Sequence, residues 1–126
     1  MSGSARILLV EDDRYLRRAC ETALRQRGFA VSSAVDGAAA LEAIASEVPD
    51  LVLLDLLMPR VTGLEVLRSL RSRPETRALP VLILSNSSRE QDLAEIKQLG
   101  VAGYYVKSDL SLQELGDRIE RLLQGA

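Results

Sequence analysis

The chain contains no histidine and no tryptophan. The missing histidine is chemically decisive. It excludes a His-ligated zinc site, a Ser-His-Asp triad and a phosphohistidine carried on this chain. Cys20 is the sole cysteine, so no internal disulfide can form and a reducing compartment suits the chain. Aromatic residues make up 3% of the sequence, so the core has to be aliphatic. No apolar run is long enough to span a bilayer and no secretory signal is evident. The expected location is therefore the cytoplasm, without membrane insertion. The 16 basic and 18 acidic residues nearly balance, at a net charge of -2, and leave no basic footprint for nucleic acid. Neither G-x-x-x-x-G-K-[ST] nor G-x-G-x-x-G is present, which removes the common nucleotide-binding readings.

What is present is a repeating pattern. The chain has 126 residues, 47% hydrophobic and 27% charged, and one domain over 1–126 is expected, with residues 1–4 as a flexible lead-in. Ile7-Leu8-Leu9-Val10, Leu51-Val52-Leu53-Leu54 and Val81-Leu82-Ile83-Leu84 are short continuous apolar runs, the signature of strands buried on both faces. Residues 29–35 read as a weaker strand and 103–106 as a fifth. Between the strands run helical periodicities. Leu16, Ala19, Cys20, Ala23 and Leu24 share one face; 38–46 is alanine-rich; Leu64, Leu67 and Leu70 mark a third helix. Leu93, Ile96 and Leu99 mark a fourth, and Leu112, Leu115, Ile119, Leu122 and Leu123 a fifth. Ser88 with Gln91 and Ser111 with Glu114 match capping boxes. Asp36-Gly37 reads as a turn, Gly28 and Gly100 as helix ends, and Pro59 as a strand stop. Alternating strands and helices of this kind imply an α/β fold with a doubly wound parallel sheet.

The strand ends carry the chemistry. Glu11 and Asp12 follow the first strand, Asp55 the third, Ser85 the fourth and Lys107 the fifth. Open α/β sheets bind ligands at the carboxyl ends of their strands, so these five groups should converge. Clustered carboxylates repel one another, and a hard cation such as Mg²⁺ relieves that repulsion while keeping waters that phosphate oxygens can replace. A lysine and a hydroxyl beside them suit a phosphoryl group, and a carboxylate held there can act as the nucleophile.

This pattern, with Met58-Pro59 and Gly63 after the third strand, resembles the response-regulator receiver domain of two-component signalling over nearly the whole chain. The resemblance implies a five-stranded (βα)5 fold of flavodoxin-like order 2-1-3-4-5. It implies that Asp55 accepts a phosphoryl group from a histidine kinase or histidine phosphotransfer protein. Asp12, Asp55 and the backbone carbonyl of Leu57 would hold Mg²⁺, with Glu11 acting through water. Lys107 and Ser85 would contact the phosphoryl group, and Ser85 and Tyr104 would act as switch residues for a downstream protein target. On this reading the chain is a phosphoacceptor that assists its own phosphorylation and dephosphorylation, not an enzyme acting on a separate substrate. The alternative is a phosphorylation-independent scaffold, which the intact acid pocket argues against. A Mg²⁺-dependent phosphatase would want an acid two residues beyond Asp55, where this chain has Leu57.

The pattern is not met everywhere. Ser108 stands where receivers usually place a cis-proline after the lysine. A non-proline cis bond costs about 2.5–4 kcal/mol, so a trans Lys107–Ser108 bond is expected. Asn86 replaces a smaller residue. Leu57 and Ser87 stand where side chains influence water attack, and the apolar Leu57 predicts a long-lived phosphoryl state. Asp13 reads as a helix-start acid, Cys20 as core, and Arg14, Arg17, Arg18 and Arg25 as a solvated face. Glu114 with Arg118 and Asp117 with Arg121 read as helix-supporting pairs. The cognate kinase and the output stay open, as does whether Ala126 ends a stand-alone receiver or a domain of a longer chain.

Overall fold

The computed structural model describes residues 4–58, 60–86 and 93–124. Five strands alternate with five helices in the order β1 (Arg6–Val10), α1 (Arg14–Gln26), β2 (Ala30–Ala34), α2 (Gly37–Ser46), β3 (Leu51–Asp55), α3 (Gly63–Ser72), β4 (Val81–Ser85), α4 (Leu93–Leu99), β5 (Gly103–Val106) and α5 (Leu112–Leu123). All strand pairings are parallel and the sheet order is β2-β1-β3-β4-β5. This is the doubly wound fold expected from the sequence.

Side-chain alternation along the strands feeds two cores. Leu8, Val10, Val52, Leu54, Val81 and Ile83 pack with α2, α3 and α4 residues such as Ile44, Leu67 and Ile96. Ile7, Leu9, Leu51, Leu53, Leu82 and Leu84 pack on the other face with Cys20 and Leu24 of α1 and Leu115 and Ile119 of α5. β3 lies between β1 and β4 and is buried along its whole length, which is why its sequence is apolar without alternation. β2 and β5 are the edges. That explains the weak signal of β2, whose Ser32 and Ser33 are exposed.

Several local expectations need adjustment. Asp36-Gly37 is not a free turn: Asp36 caps α2 by accepting the amide of Ala39 at 2.8 Å, and Gly37 already belongs to the helix. A Cβ on Gly37 would stand 2.2 Å from the Val61 carbonyl oxygen, so glycine is required by close approach. The reciprocal capping box sits at Thr62 and Glu65 on α3. At Ser111 the hydroxyl accepts the Glu114 amide. Ala19, placed on the inner stripe of α1, is exposed. The intrahelical pairs expected on α5 give way to contacts between elements. Asp117 and Glu120 pair with Arg27 at the end of α1, at 2.9 and 3.2 Å, and Arg118 donates to the Ala102 carbonyl. The Lys107–Ser108 peptide is trans, and a short 3₁₀ turn over Lys107–Asp109, unforeseen in the sequence, follows β5. Residues 1–3 of the lead-in, Pro59, Ser87 and the Ser88–Gln91 box lie outside the described residues.

Candidate functional site: an acid pocket at the carboxyl edge of the sheet

Each site residue is delivered by the strand before it. β1 ends at Val10, and the Glu11 amide then donates to the Ala34 carbonyl of neighbouring β2 at 3.0 Å, which pins the turn. Glu11 is fully buried. Its Oε2 accepts the Asp13 amide at 3.0 Å and the Lys107 ammonium at 3.0 Å. Asp13 itself is the α1 N-cap, accepting the amides of Tyr15 and Leu16. Asp12, between them, is exposed.

Asp55 closes β3 and is 1% exposed. Its Oδ1 accepts the Leu57 amide at 3.2 Å and lies 3.2 Å from Lys107 Nζ. Gly63 makes this packing feasible: a Cβ there would stand 2.3 Å from the Asp55 carbonyl oxygen. The start of α3 therefore rests directly on the backbone that carries the acid. Ser85, buried at the end of β4, neighbours Val106 in register, one residue before Lys107. Tyr104 pairs with Ile83 in register and packs, half-buried, against the core beneath α2–α4.

One carboxylate oxygen from each of Glu11, Asp12 and Asp55 lies within 4.8 Å of the others. Glu11 Oε1 and Asp55 Oδ2 are buried with no hydrogen-bond partner among the described residues. Burial and then the Glu11 charge raise the Asp55 pKa, Lys107 and the Leu57 amide oppose them, and the balance lifts it from 3.8 to about 7. Burial alone would lower the Lys107 pKa, but the hydrogen bond and charge of Glu11 and the charge of Asp55 outweigh it, so the ammonium is held above its ordinary value. Three acids against one lysine leave a surplus of negative charge. An all-oxygen donor set with unsatisfied buried atoms fits a hard divalent cation.

All the expected strand-end residues thus converge: Glu11, Asp12, Asp55, Ser85 and Lys107 meet at one edge. Leu57, two residues beyond Asp55, is 57% exposed. Sequence reasoning missed Arg17. Assigned to a solvated face, it is half-buried and its Nη1 donates to the carbonyls of Glu11 at 3.1 Å and Asp12 at 3.4 Å. Its only signal in the sequence is a cation in the first turns of a helix that has no acid in its first turn, against the helix dipole.

A parallel sheet of this order, with its acids at the β1/β3 switch point, defines a doubly wound domain of flavodoxin-like topology. The response regulator receiver domain model matches residues 7–120. Response regulator MprA of Mycobacterium ulcerans is 40% identical over 121 residues, covering 96% of this chain and 51% of that protein. The chemotaxis response regulator CheY4 of Vibrio cholerae superposes with a TM-score of 0.85 at 27% identity, over 94% of this chain and 98% of that one. The phosphorylated cyanobacterial phytochrome response regulator RcpA gives a TM-score of 0.80 at 32% identity, over 95% and 91%. The chain belongs to the response-regulator receiver-domain family of two-component systems. It spans about half the length of MprA. Among the described residues, no helix is long and apolar enough to cross a membrane.

Proposed function

We propose that Asp55 is the phosphoacceptor of this receiver and takes its phosphoryl group from a histidine kinase or histidine phosphotransfer protein. The observation that carries this reading is the burial of Glu11 and Asp55, each with one unpartnered oxygen, around a shared lysine. An oxygen of Asp55 attacks phosphorus, the phosphorus–nitrogen bond to the donor imidazole breaks, and its electron pair stays on the imidazole. Asp55 Oδ1 is already held by Lys107 and the Leu57 amide, which leaves Oδ2 without a protein partner. Lys107 neutralises charge on the transferred group, and Ser85, at the adjoining strand end, contacts its oxygens. Asp12, Asp55 and the Leu57 carbonyl, with Glu11 acting through water, would hold Mg²⁺, which when bound would neutralise charge on the transferring phosphoryl group. Burial keeps bulk water from Asp55. Leu57 offers no group to orient a hydrolytic water, so the phosphoryl state is long-lived. Ser85 and Tyr104 then shift the α4–β5–α5 surface and change its affinity for a downstream protein. The scaffold alternative is not favoured, because nothing in a phosphate-independent role accounts for buried, unsatisfied carboxylates.

The test is incubation with Mg²⁺ and a small acyl phosphate followed by intact mass. One phosphoryl group is gained by the wild type and none by Asp55→Asn. No gain in protein that binds Mg²⁺ would overturn the reading.

A further inference from the structure

We infer that Arg17 is a positioning residue that splints the acidic turn between β1 and α1, fixing Asp12 where it can share a divalent cation with Asp55. The inference rests on the proposed function for the identity of the cation, but not for the splint itself. Glu11 and Asp12 approach each other's charge and that of Asp55, with oxygens of all three within 4.8 Å. Glu11 is anchored through its side chain, to the Asp13 amide and Lys107. Asp12 is exposed, so its direction has to be set through its backbone. Arg17 does that, reaching back from the second turn of α1 to the carbonyls of Glu11 and Asp12 with one nitrogen. Its own amide donates to the Asp13 carbonyl at 2.9 Å, so the splint is rooted in the helix that Asp13 caps. Three consecutive residues of the turn are thereby tied to one side chain and its backbone. Tilting this turn by an ångström would separate Asp12 from Asp55.

Charge and position predict opposite signs, which makes the inference testable. A cation near an acid pocket repels a dication, so removing one tightens Mg²⁺ binding if charge is all that matters. Losing the splint weakens it. Mg²⁺ titration by calorimetry should show about a tenfold higher Kd for Arg17→Met, equivalent to about 1.4 kcal/mol. Arg18→Met, which removes an exposed neighbouring charge, should bind as tightly as wild type or slightly tighter. Arg17→Lys, which keeps a donor and the charge, should fall between Arg17→Met and wild type, and it serves in its place if Arg17→Met does not fold. In metal-free protein, the Asp13 amide, bonded to Glu11, should exchange hydrogen about tenfold faster in Arg17→Met at unchanged exchange in β4. Mg²⁺ binding by Arg17→Met equal to or tighter than wild type overturns the inference, as does unchanged Asp13 exchange. Faster Asp13 exchange in a protein whose wild type binds no Mg²⁺ supports the splint and sinks the proposed function instead.

Discussion

The two ends of the central sheet are built on opposite principles. At the amino edge, charge is exposed and satisfied. Arg6 donates its amide to Asp50 at 2.7 Å and its guanidinium to the Val48 carbonyl at 2.6 Å, and it pairs with Glu47 at 3.0 Å. At the carboxyl edge, charge is buried and left incomplete: Glu11 Oε1 and Asp55 Oδ2 have no partner, and one lysine serves two carboxylates. Surface pairs like Arg6–Glu47 contribute little either way, about 0–1 kcal/mol. Buried unpaired groups cost folding free energy and persist where something outside the chain completes them. One end of the sheet satisfies its charges within the chain, and the other leaves buried oxygens that a ligand could complete.

This contrast can be broken first at Lys107. Lys107→Met leaves Glu11 and Asp55 facing each other without a counter-charge. At pH 8 in the absence of metal it should lose about 3–5 kcal/mol of unfolding free energy in urea titrations, a loss that shrinks toward pH 5 as Asp55 takes up a proton. An unchanged midpoint at pH 8 would show that the pocket is far wetter than its burial implies.

Asp55→Asn should move stability the other way. The folded pKa of Asp55 is raised to about 7 from an ordinary 3.8, so the fold favours the protonated form. Its contribution is fully present below about pH 4, is lost as the pH rises toward 7, and stays lost above. Asp55→Asn removes that loss, so metal-free variant and wild type should converge near pH 4, while at pH 8 the variant is more stable by about 2–4 kcal/mol. Adding Mg²⁺ should narrow the gap, because ligand binding stabilises the wild type. Equal stability at pH 8 would contradict an uncompensated buried charge.

A smaller effect is expected beside the pocket. Gly63→Ala forces a methyl against the Asp55 carbonyl and should cost about 2–3 kcal/mol in thermal or urea unfolding. A cost below that of an ordinary glycine substitution would mean that α3 slides freely on β3. The smallest effect belongs to the amino edge. Glu47→Gln should change stability by less than about 0.5 kcal/mol, and less still in 0.5 M salt. A loss above 1 kcal/mol would erase the distinction between the two edges.

How much of this was legible depended on whether the cause was local. β3 announced itself because a strand buried on both faces must be apolar throughout, and Asp55 stood out as the one charge that ends it. Glu11, Asp12, Ser85 and Lys107 were legible by the same rule, each lying one or two residues past an apolar run. β2 was faint because an edge strand can be Ser32-Ser33 on its open side. The charge partners on α5 were misread because Arg27, more than eighty residues away in the chain, competes for Asp117, and only the α1–α5 packing reveals that. Arg17 was hidden for a related reason. Its target is the backbone of a turn, and carbonyls carry no sequence signature. Gly63 could be matched to a motif, but the need for it, a helix resting on the carbonyl of the acid strand, exists only in three dimensions.

Cys20 is fully buried against the core shared by α1 and α5, and burial, aided by the charges of Glu11 and Glu21, raises its pKa from 9.0 to about 11. In the closed protein a disulfide reagent finds neither an accessible sulfur nor an appreciable thiolate. Labelling at this one position therefore proceeds only in molecules whose first helix has lifted away. Nature has left in the chain a single built-in stopwatch: the labelling rate of Cys20, with no engineered probe, counts how often α1 opens, with and without Mg²⁺ and a small acyl phosphate.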